Sequence, residues 1–134
     1  MKTRDLVTLF QALADPTRLR LLNLLSAGEV CVCFFVDVLG ESQPKISRHL
    51  AYLRRAGVVS ARRDGKWIHY SLVEPADAEV RSVLDATIGA FAEDRQMQRD
   101  RLALERACCA PKLPGTLGQA PRPVIQPIQP TTRS

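Results

Sequence analysis

The sequence predicts a mainly α-helical domain that carries a single β-hairpin. Apolar residues recur every three or four positions over most of the first 110 residues, which is the spacing of amphipathic helices. Proline and glycine divide this pattern into separate helices at residues 15–16, 28 and 40. Between residues 58 and 72 the pattern changes to that of two paired strands, interrupted once by Asp64-Gly65.

The first two helices are expected to meet at Asp15-Pro16. Apolar residues at positions 6, 9, 10 and 13 form one helical face before this dipeptide. Asp15 is expected to cap the second helix and Pro16 to occupy its first turn, where an amide proton has no intrahelical partner. The second helix is apolar over much of its circumference, which predicts a buried central helix that stops at Gly28.

A helix-turn-helix is predicted from the third and fourth helices. The third helix is expected over residues 34–39, and Gly40 ends it. Ser42 is placed to cap the fourth helix, in which Ile46, Leu50 and Leu53 share one face that packs inward. The opposite face is cationic and polar, so this helix is expected to present that face to a partner.

The hairpin completes a winged helix-turn-helix, in which one helix enters the major groove of DNA and flanking cations meet the phosphates. Asp64-Gly65 suits a type I′ turn, since both central residues of that turn need a positive φ. Counting outward from this turn opposes Arg62 to Trp67 and places the apolar residues of both strands on one face. The tip of the hairpin is basic.

The segment after Pro75 predicts one long helix that extends toward Cys109, with a bend allowed in its polar part at residues 93–101. Its apolar stripe needs a partner, so we assign the first and last helices to a symmetric homodimer interface, with packing inside the monomer as the alternative. Residues 111–134 contain six of the nine prolines and no acidic residue, which predicts a disordered tail. The expected organisation is one DNA-binding and dimerisation domain at 1–110 and a proline-rich tail at 111–134.

The net charge is +5, and positive charge is concentrated in the hairpin and in the fourth helix, the predicted reading helix that enters the major groove. Seven basic residues and one acidic residue lie between positions 43 and 69, a local balance of +6 that favours contact with phosphates. The candidates for contacts to base edges are Ser42, Gln43, Ser47, Arg48 and His49, of which His49 could equally be a packing residue. The candidates for phosphate or minor-groove contacts are Lys45, Arg54, Arg62, Arg63 and Lys66.

Other classes of protein are disfavoured. No set of nucleophile, base and oxyanion donors can be picked out, nor a glycine-rich phosphate loop, so an enzyme is not expected. No apolar run approaches the roughly 20 residues that cross a bilayer, and closely paired cysteines suit a reducing compartment. A cytoplasmic protein is therefore expected.

Three segments, EVCVC at 29–33, SQPKISRHLAYLRRAG at 42–57 and DGKWIHYSL at 64–72, resemble the ArsR family of winged-helix metalloregulatory repressors, in particular its arsenical-responsive members. The resemblance covers about residues 5–110. It implies a homodimer bound to an imperfect inverted repeat in the operator of an arsenic-resistance operon. It also implies that trivalent arsenic or antimony is the inducer, while no cofactor is expected for DNA binding itself.

The four cysteines form two close pairs, Cys31 with Cys33 and Cys108 with Cys109. Soft trivalent ions prefer thiolates, which makes both pairs candidate metalloid ligands. In an extended segment Cys31 and Cys33 would project from the same side, whereas on a regular helix they would point about 200° apart. We therefore expect an extended or distorted backbone there. Because the third helix packs on the reading helix, locking that backbone is expected to disfavour the DNA-binding orientation.

The third metalloid ligand is left open by the sequence. The arsenical repressors that it resembles carry C-V-C-x-x-C, and here the last cysteine position is Val36. Either two sulfurs suffice, with water or a small thiol beside them, or Cys108 or Cys109 supplies the third, or these two form their own site for methylated trivalent arsenicals. Structural zinc fits the spacing poorly, and free cysteines are often simply small buried residues. Cadmium or lead sensing and thiol oxidation remain as alternatives.

Overall fold

The computed structural model describes residues 3–109 and 121–124, in which six α-helices and a three-stranded sheet form the fold. The helices are α1 (Thr3–Leu13), α2 (Pro16–Leu25), α3 (Val32–Leu39), α4 (Gln43–Arg55), α5 (Ala78–Gly89) and α6 (Arg95–Cys109), with a 3₁₀ helix (Ala90–Glu93) between the last two. The strands are β1 (Val30–Cys31), β2 (Val59–Asp64) and β3 (Trp67–Leu72). The predicted fold class, mainly helical with a β-hairpin, is confirmed.

The break between α1 and α2 lies where it was predicted, and α2 forms the centre of the hydrophobic core. The Asp15 carboxylate accepts hydrogen bonds from the amides of Thr17 (2.8 Å) and Arg18 (3.1 Å), which caps α2 in front of Pro16. Residues 21–25 are all buried, so α2 is covered on every side along its last turns. The helix ends at Leu25, slightly before the glycine that was expected to stop it.

The segment before α3 contains a strand that the sequence did not predict. β1 pairs antiparallel with β3, so the sheet order is β1–β3–β2 and the hairpin gains a third strand. Val30 lies opposite Tyr70, and Cys31 lies opposite His69. The strand that carries the first cysteine is therefore part of the same sheet as the hairpin.

The predicted type I′ turn was wrong, and so was the register that it implied. Asp64 opposes Trp67, so the two central residues of the turn are Gly65 and Lys66. Gly65 has a φ of 61°, and within the described chain only glycines have a positive φ, as expected for a type II′ turn with glycine first. The register moves by two positions, so the apolar face of the hairpin is nevertheless the predicted one.

The predicted C-terminal helix was wrong in being continuous, because the chain does more than bend there: α5 and α6 are separate helices. The backbone at Asp94 is extended (φ −83°, ψ 125°), and its carboxylate accepts a hydrogen bond from the amide of Met97 at 3.0 Å. An aspartate in this position caps a new helix, so α6 starts afresh after the 3₁₀ helix. In the part of the chain that the structure describes, no helix is long and apolar enough to cross a membrane.

α6 packs against α2 and α3 of its own chain. The Arg20 guanidinium donates two hydrogen bonds to Asp100, at 2.7 and 2.9 Å, and Asp100 is only 4% exposed. Leu104 is fully buried on the same helix. For α6 the structure thus shows packing inside the monomer, the alternative that the sequence had left open, whereas α1 exposes Val7 and Phe10.

The predicted tail at 111–134 lies outside the described residues, apart from 121–124. The Pro123 carbonyl accepts a hydrogen bond from Cys108 Sγ at 2.6 Å, and Arg122 donates to the Cys108 carbonyl at 3.4 Å. These contacts bring the segment against the end of α6. The division into a domain at 1–110 and a tail at 111–134 stays a prediction.

Candidate nucleic-acid interface and thiol site

The turn between α3 and α4 sets the orientation of the predicted reading helix. Gly40 ends α3 with a φ of 68°, a left-handed conformation that glycine adopts without strain. Ser42 takes the N-cap position with an extended backbone, as predicted, but its side chain makes no capping hydrogen bond. Ile46, Leu50 and Leu53 are fully buried, so α4 is held against the core by its apolar face.

Most of the predicted DNA-contacting side chains are exposed. Those of α4 and its N-cap avoid the buried face of the helix, and the others come from β2 and the hairpin turn. The exposed candidates are Ser42, Gln43, Lys45, Ser47, Arg48, Arg54, Arg62, Arg63 and Lys66. The structure therefore presents them to solvent, while their contact with DNA stays a prediction.

His49 differs from the other candidates because it is partly buried and is held at the junction of α1 and α2. Arg18 Nη1 lies 3.3 Å from His49 Nδ1, and Asp15 Oδ1 lies 3.8 Å from the same nitrogen. Since a guanidinium can only donate, Nδ1 of the neutral ring accepts and the proton is on Nε2. Burial lowers the pKa of His49, and nearby cations add to this effect against the opposing influence of Asp15. The neutral ring is therefore favoured.

A pocket of about 230 Å³ opens on the polar side of α4 and is lined by Lys45, Arg48, His49 and Tyr52. The Tyr52 ring has the Arg18 guanidinium 4.5 Å from its centre and that of Arg55 at 5.4 Å, both in cation–π range. Arg18 was missed in the sequence because it belongs to α2, 31 positions before His49. Only the packing of α2 beside α4 brings it to this face.

The hairpin cations do not all have the partners that the sequence predicted. Trp67 lies opposite Asp64, so the predicted pairing of Arg62 with Trp67 was wrong. The cation at the Trp67 ring is Lys66 of the turn, with Nζ 5.0 Å from the ring centre. Arg62 instead donates to Glu29, from Nη2 to Oε1 at 2.6 Å and from Nε to Oε2 at 3.3 Å. Ser71 donates to Oε2 at 3.0 Å. The hydrogen bond from Arg62 lowers the pKa of Glu29, which is therefore ionised at neutral pH.

Cys31 and Cys33 lie where β1 passes into α3. Cys31 is buried and has the extended backbone that was predicted (φ −70°, ψ 140°). However, α3 begins at Val32, earlier than predicted, so Cys33 is in its first turn and is partly exposed. Burial raises the pKa of the Cys31 thiol, and the Cys33 thiol adds to this effect while the amides of Cys33 and Ile68 oppose it. The two thiols are thus neighbours. Because Cys31 is extended and only Cys33 is helical, their side chains are not forced about 200° apart as they would be on a regular helix.

Within residues 3–109 and 121–124, no three His, Cys, Asp or Glu side chains are placed to hold a metal ion. Val36 occupies the next turn of α3 and packs partly buried against the core. Cys108 lies near the C-terminal end of α6, next to Pro123. The Cys109 side chain lies outside the described residues. Among the described side chains, the thiol pair therefore has no third ligand gathered around it.

Known proteins with similar sequences are transcriptional regulators. Residues 15–61 match the family model described as bacterial regulatory protein, arsR family. The arsenical resistance operon repressor of Escherichia coli is 49% identical over 80 residues, 59% of this chain and 68% of that protein. The arsenic resistance transcriptional regulator ArsR1 of Pseudomonas putida is 45% identical over 91 residues, 62% of this chain and 71% of that protein. The homodimeric winged helix-turn-helix domain Mb0332 of Mycobacterium bovis, a possible ArsR-family regulator, is 29% identical with a TM-score of 0.53, covering 62% of this chain and 74% of that one.

Proposed function

Since the chain belongs to the ArsR family of bacterial regulatory proteins, we propose that it is a DNA-binding repressor of an arsenic-resistance operon. Trivalent arsenic or antimony is the inducer and binds the thiolates of Cys31 and Cys33. The observation that carries this proposal is the position of the two thiols. Cys31 ends the strand that pairs with the hairpin, and Cys33 is in the helix that packs against α4, so a ligand there is one element away from each part of the DNA-binding face.

The DNA-binding face consists of α4 and the hairpin. α4 enters the major groove with its polar side, where the exposed Arg48 can donate two hydrogen bonds to a guanine edge. His49, with its proton on Nε2, offers a donor to a base acceptor or a phosphate. Arg63 and Lys66 at the hairpin tip are exposed and neutralise phosphates, which positions α4 without reading sequence.

A homodimer places one reading helix in each half of the operator. α1 exposes Val7 (48%) and Phe10 (54%), and α6 exposes Leu102 (50%), which leaves apolar surface for a second copy to cover. The similar Mb0332 domain is homodimeric. A two-fold dimer calls for an inverted repeat whose half-sites lie about one helical turn apart or a multiple of it.

Inducer binding replaces hydroxide ligands of arsenic by sulfur. Each As–S bond forms while the thiol proton and one arsenite hydroxide leave together as water. Cys31 and Cys33 supply two sulfurs, and a small thiol or water takes the third position because Val36 offers no ligand. The bound ion fixes the backbone at the start of α3. Since α3 packs against α4, this disfavours the orientation of α4 that fits DNA.

A second candidate site is the pair Cys108 and Cys109 at the end of α6. Monomethylated trivalent arsenic has only two exchangeable positions, so two adjacent thiols can satisfy it. The observation that favours this site is that α6 packs against both α2 and α3, so a ligand at the end of α6 can act on α4 through these helices. The same experiment separates the two sites.

The test is fluorescence anisotropy of a labelled promoter fragment from the arsenic-resistance operon of the host, bound to reduced protein. Arsenite, methylarsenite, antimonite, cadmium and zinc are then titrated into complexes of wild type, Cys31→Ser, Cys33→Ser and Cys108→Ser/Cys109→Ser. Serine keeps the size of the side chain and removes only the sulfur. We expect arsenite to release DNA from wild type and the C-terminal double variant, but not from Cys31→Ser or Cys33→Ser.

Other outcomes have defined meanings. If only the C-terminal double variant fails to respond, the sensor is at the end of α6. If cadmium releases DNA and arsenite does not, the inducer is a different thiophilic ion. Release by an oxidant that reductant reverses without any metalloid identifies a redox switch. Failure of the reduced protein to bind the promoter fragment more tightly than random DNA refutes the repressor function.

A further inference from the structure

Cys31 lies in the same row of the sheet as the hairpin residue Arg62. Cys31 opposes His69 of β3, and His69 opposes Arg62 of β2. Residues that lie directly opposite in antiparallel strands project to the same face of the sheet. The first thiol and the Arg62 side chain are therefore on one side of the sheet, two strands apart.

A second set of contacts joins these strands across β3. Glu29, two residues before Cys31, accepts hydrogen bonds from Arg62 Nη2 at 2.6 Å and Nε at 3.3 Å. Ser71 of the central strand donates to the same carboxylate at 3.0 Å. The residue that precedes β1 is thus tied to both strands of the hairpin.

We propose that Glu29 is a positioning residue that couples the thiol pair to the hairpin through Arg62, an inference that rests on the proposed function. While the thiols are free, Glu29 holds the guanidinium by Nε and Nη2 and leaves Nη1 to meet a phosphate. A metalloid on Cys31 and Cys33 fixes the segment just beyond Glu29 in a new geometry. The carboxylate moves with that segment, and Arg62 loses the orientation in which the hairpin contacts DNA.

The exposure of this ion pair favours a role in coupling over a role in stability. The side chains of Arg62 and Glu29 are 56% and 38% exposed. Ion pairs exposed to this degree add little to the free energy of unfolding, because water competes for both charges. Two hydrogen bonds from one guanidinium nevertheless fix its direction. Removing the pair should therefore leave the fold intact and change how the hairpin responds to the thiols.

The experiment measures a coupling factor, defined as the operator Kd with saturating arsenite divided by the operator Kd without it. Allosteric coupling factors are typically on the order of 5 to 150. We expect Glu29→Gln and Arg62→Gln each to lower the factor by about threefold or more, within the range found for residues in direct contact. The double variant should lower it no further, because both single changes remove the same interaction.

Two matched variants control for the loss of charge. Arg63→Gln removes the neighbouring hairpin cation, which projects to the other face of β2. Glu74→Gln removes a carboxylate that pairs with Arg81 at 3.3 Å, after the end of β3. Both controls should keep the wild-type coupling factor, even where Arg63→Gln weakens binding to every DNA.

Trp67 gives a readout that needs no DNA. It is the only tryptophan of the chain and lies in β3 beside the hairpin turn. Its emission is followed while arsenite is added, and bound arsenic per chain is counted after gel filtration. We expect the emission to change in wild type and to respond much less in Glu29→Gln, although both proteins bind arsenite. A residue that only supports the fold would not separate binding from response in this way.

The outcomes distinguish this inference from the proposed function. Unchanged coupling and an unchanged Trp67 response in both single variants, with arsenite bound, would overturn the role of Glu29 and leave the repressor function standing. Wild type that binds arsenite but keeps its operator would refute the proposed inducer, while a Trp67 response lost in Glu29→Gln would still support the coupling. Wild type that binds no arsenite would refute both the proposed inducer and this coupling, and would leave the binding of operator DNA to be judged by the promoter titration.

Discussion

Placing a third sulfur at Val36 should tighten arsenite binding. Val36 lies three residues after Cys33 on α3, so their side chains are neighbours about 60° apart around the helix. Cys33 already interacts with Cys31, and a cysteine at 36 would complete a triangle of sulfurs. Val36 is only partly buried, and cysteine is close to valine in size, so the substitution changes packing little.

The size of the effect follows from replacing a thiol in solution by one that is attached to the helix. An attached group acts at an effective concentration on the order of 1 mM or more. With roughly 0.1 mM glutathione in solution, Val36→Cys should therefore reach half-maximal operator release at about one tenth of the wild-type arsenite concentration. The gain should shrink as glutathione is raised, because the competing thiol then approaches the effective concentration of the attached one.

Val38→Cys is the matched control for this variant. Val38 is also partly buried on α3, but it lies about 140° around the helix from Cys33, so its thiol does not face the pair. Anisotropy titrations of wild type and both variants at fixed glutathione measure the shift in midpoint. Equal midpoints for Val36→Cys and Val38→Cys would refute a metalloid site at the start of α3.

Three further changes test the DNA face and the packing that supports it. Arg48→Ala should lose about 1 to 3 kcal/mol of binding free energy at one base position of the operator. Lys66→Ala should instead weaken binding to all sequences and lower the slope of log affinity against log salt by about 1. Equal losses of affinity for random DNA in the two variants would contradict this division. Asp100→Asn should lower the free energy of unfolding by about 2 kcal/mol, because the charge-assisted hydrogen bonds from Arg20 are lost. The measurement is urea unfolding at fixed protein concentration, and an unchanged unfolding midpoint would contradict the prediction. Asp15→Ala should lower the free energy of unfolding by about 1 kcal/mol because the cap of α2 is removed, and Asp15→Asn should lower it much less. Burial alone would raise the pKa of Asp15, but the hydrogen bonds from backbone amides bring that pKa below 3.8. The stabilisation from the ionised cap is therefore present above pH 3.8 and is lost as the pH falls through the folded pKa. Wild type should lose stability in that range, while Asp15→Asn lacks this component.

The helices that position the reading face could be predicted because their signals are local. Asp15-Pro16 specifies a capped start for α2 whatever surrounds it, and the cap is present. The spacing of Ile46, Leu50 and Leu53 selects one buried face of α4, which in turn leaves the polar candidates exposed. These features need no information about distant parts of the chain.

The register of the hairpin could not be decided from the sequence. Asp64-Gly65 suits a type I′ turn and Gly65-Lys66 suits a type II′ turn, and both keep the apolar residues on one face. The choice between them decides which cation meets Trp67. By contrast, the break at Asp94 did have a local signal, an aspartate able to cap α6, which the continuous helical periodicity obscured.

The contacts that give the candidate site its character are long-range. Arg18 reaches His49 from another helix, and Glu29 reaches Arg62 across the sheet. A strand as short as β1 has no periodicity to recognise, so its pairing with β3 had no signal in the sequence. Sequence reasoning could therefore name the charged side chains but not their partners.

The junction at Cys31 and Cys33 explains why one small ligand can act on two separate DNA-contacting elements. β1 leads from the thiols into the sheet of the hairpin, and α3 leads from them to α4. The two routes use different contacts, so removing the contacts of one should leave those of the other in place. Glu29→Gln should therefore retain part of the arsenite-dependent release, through α3, whereas Cys31→Ser should lose all of it because both routes start at the thiol pair.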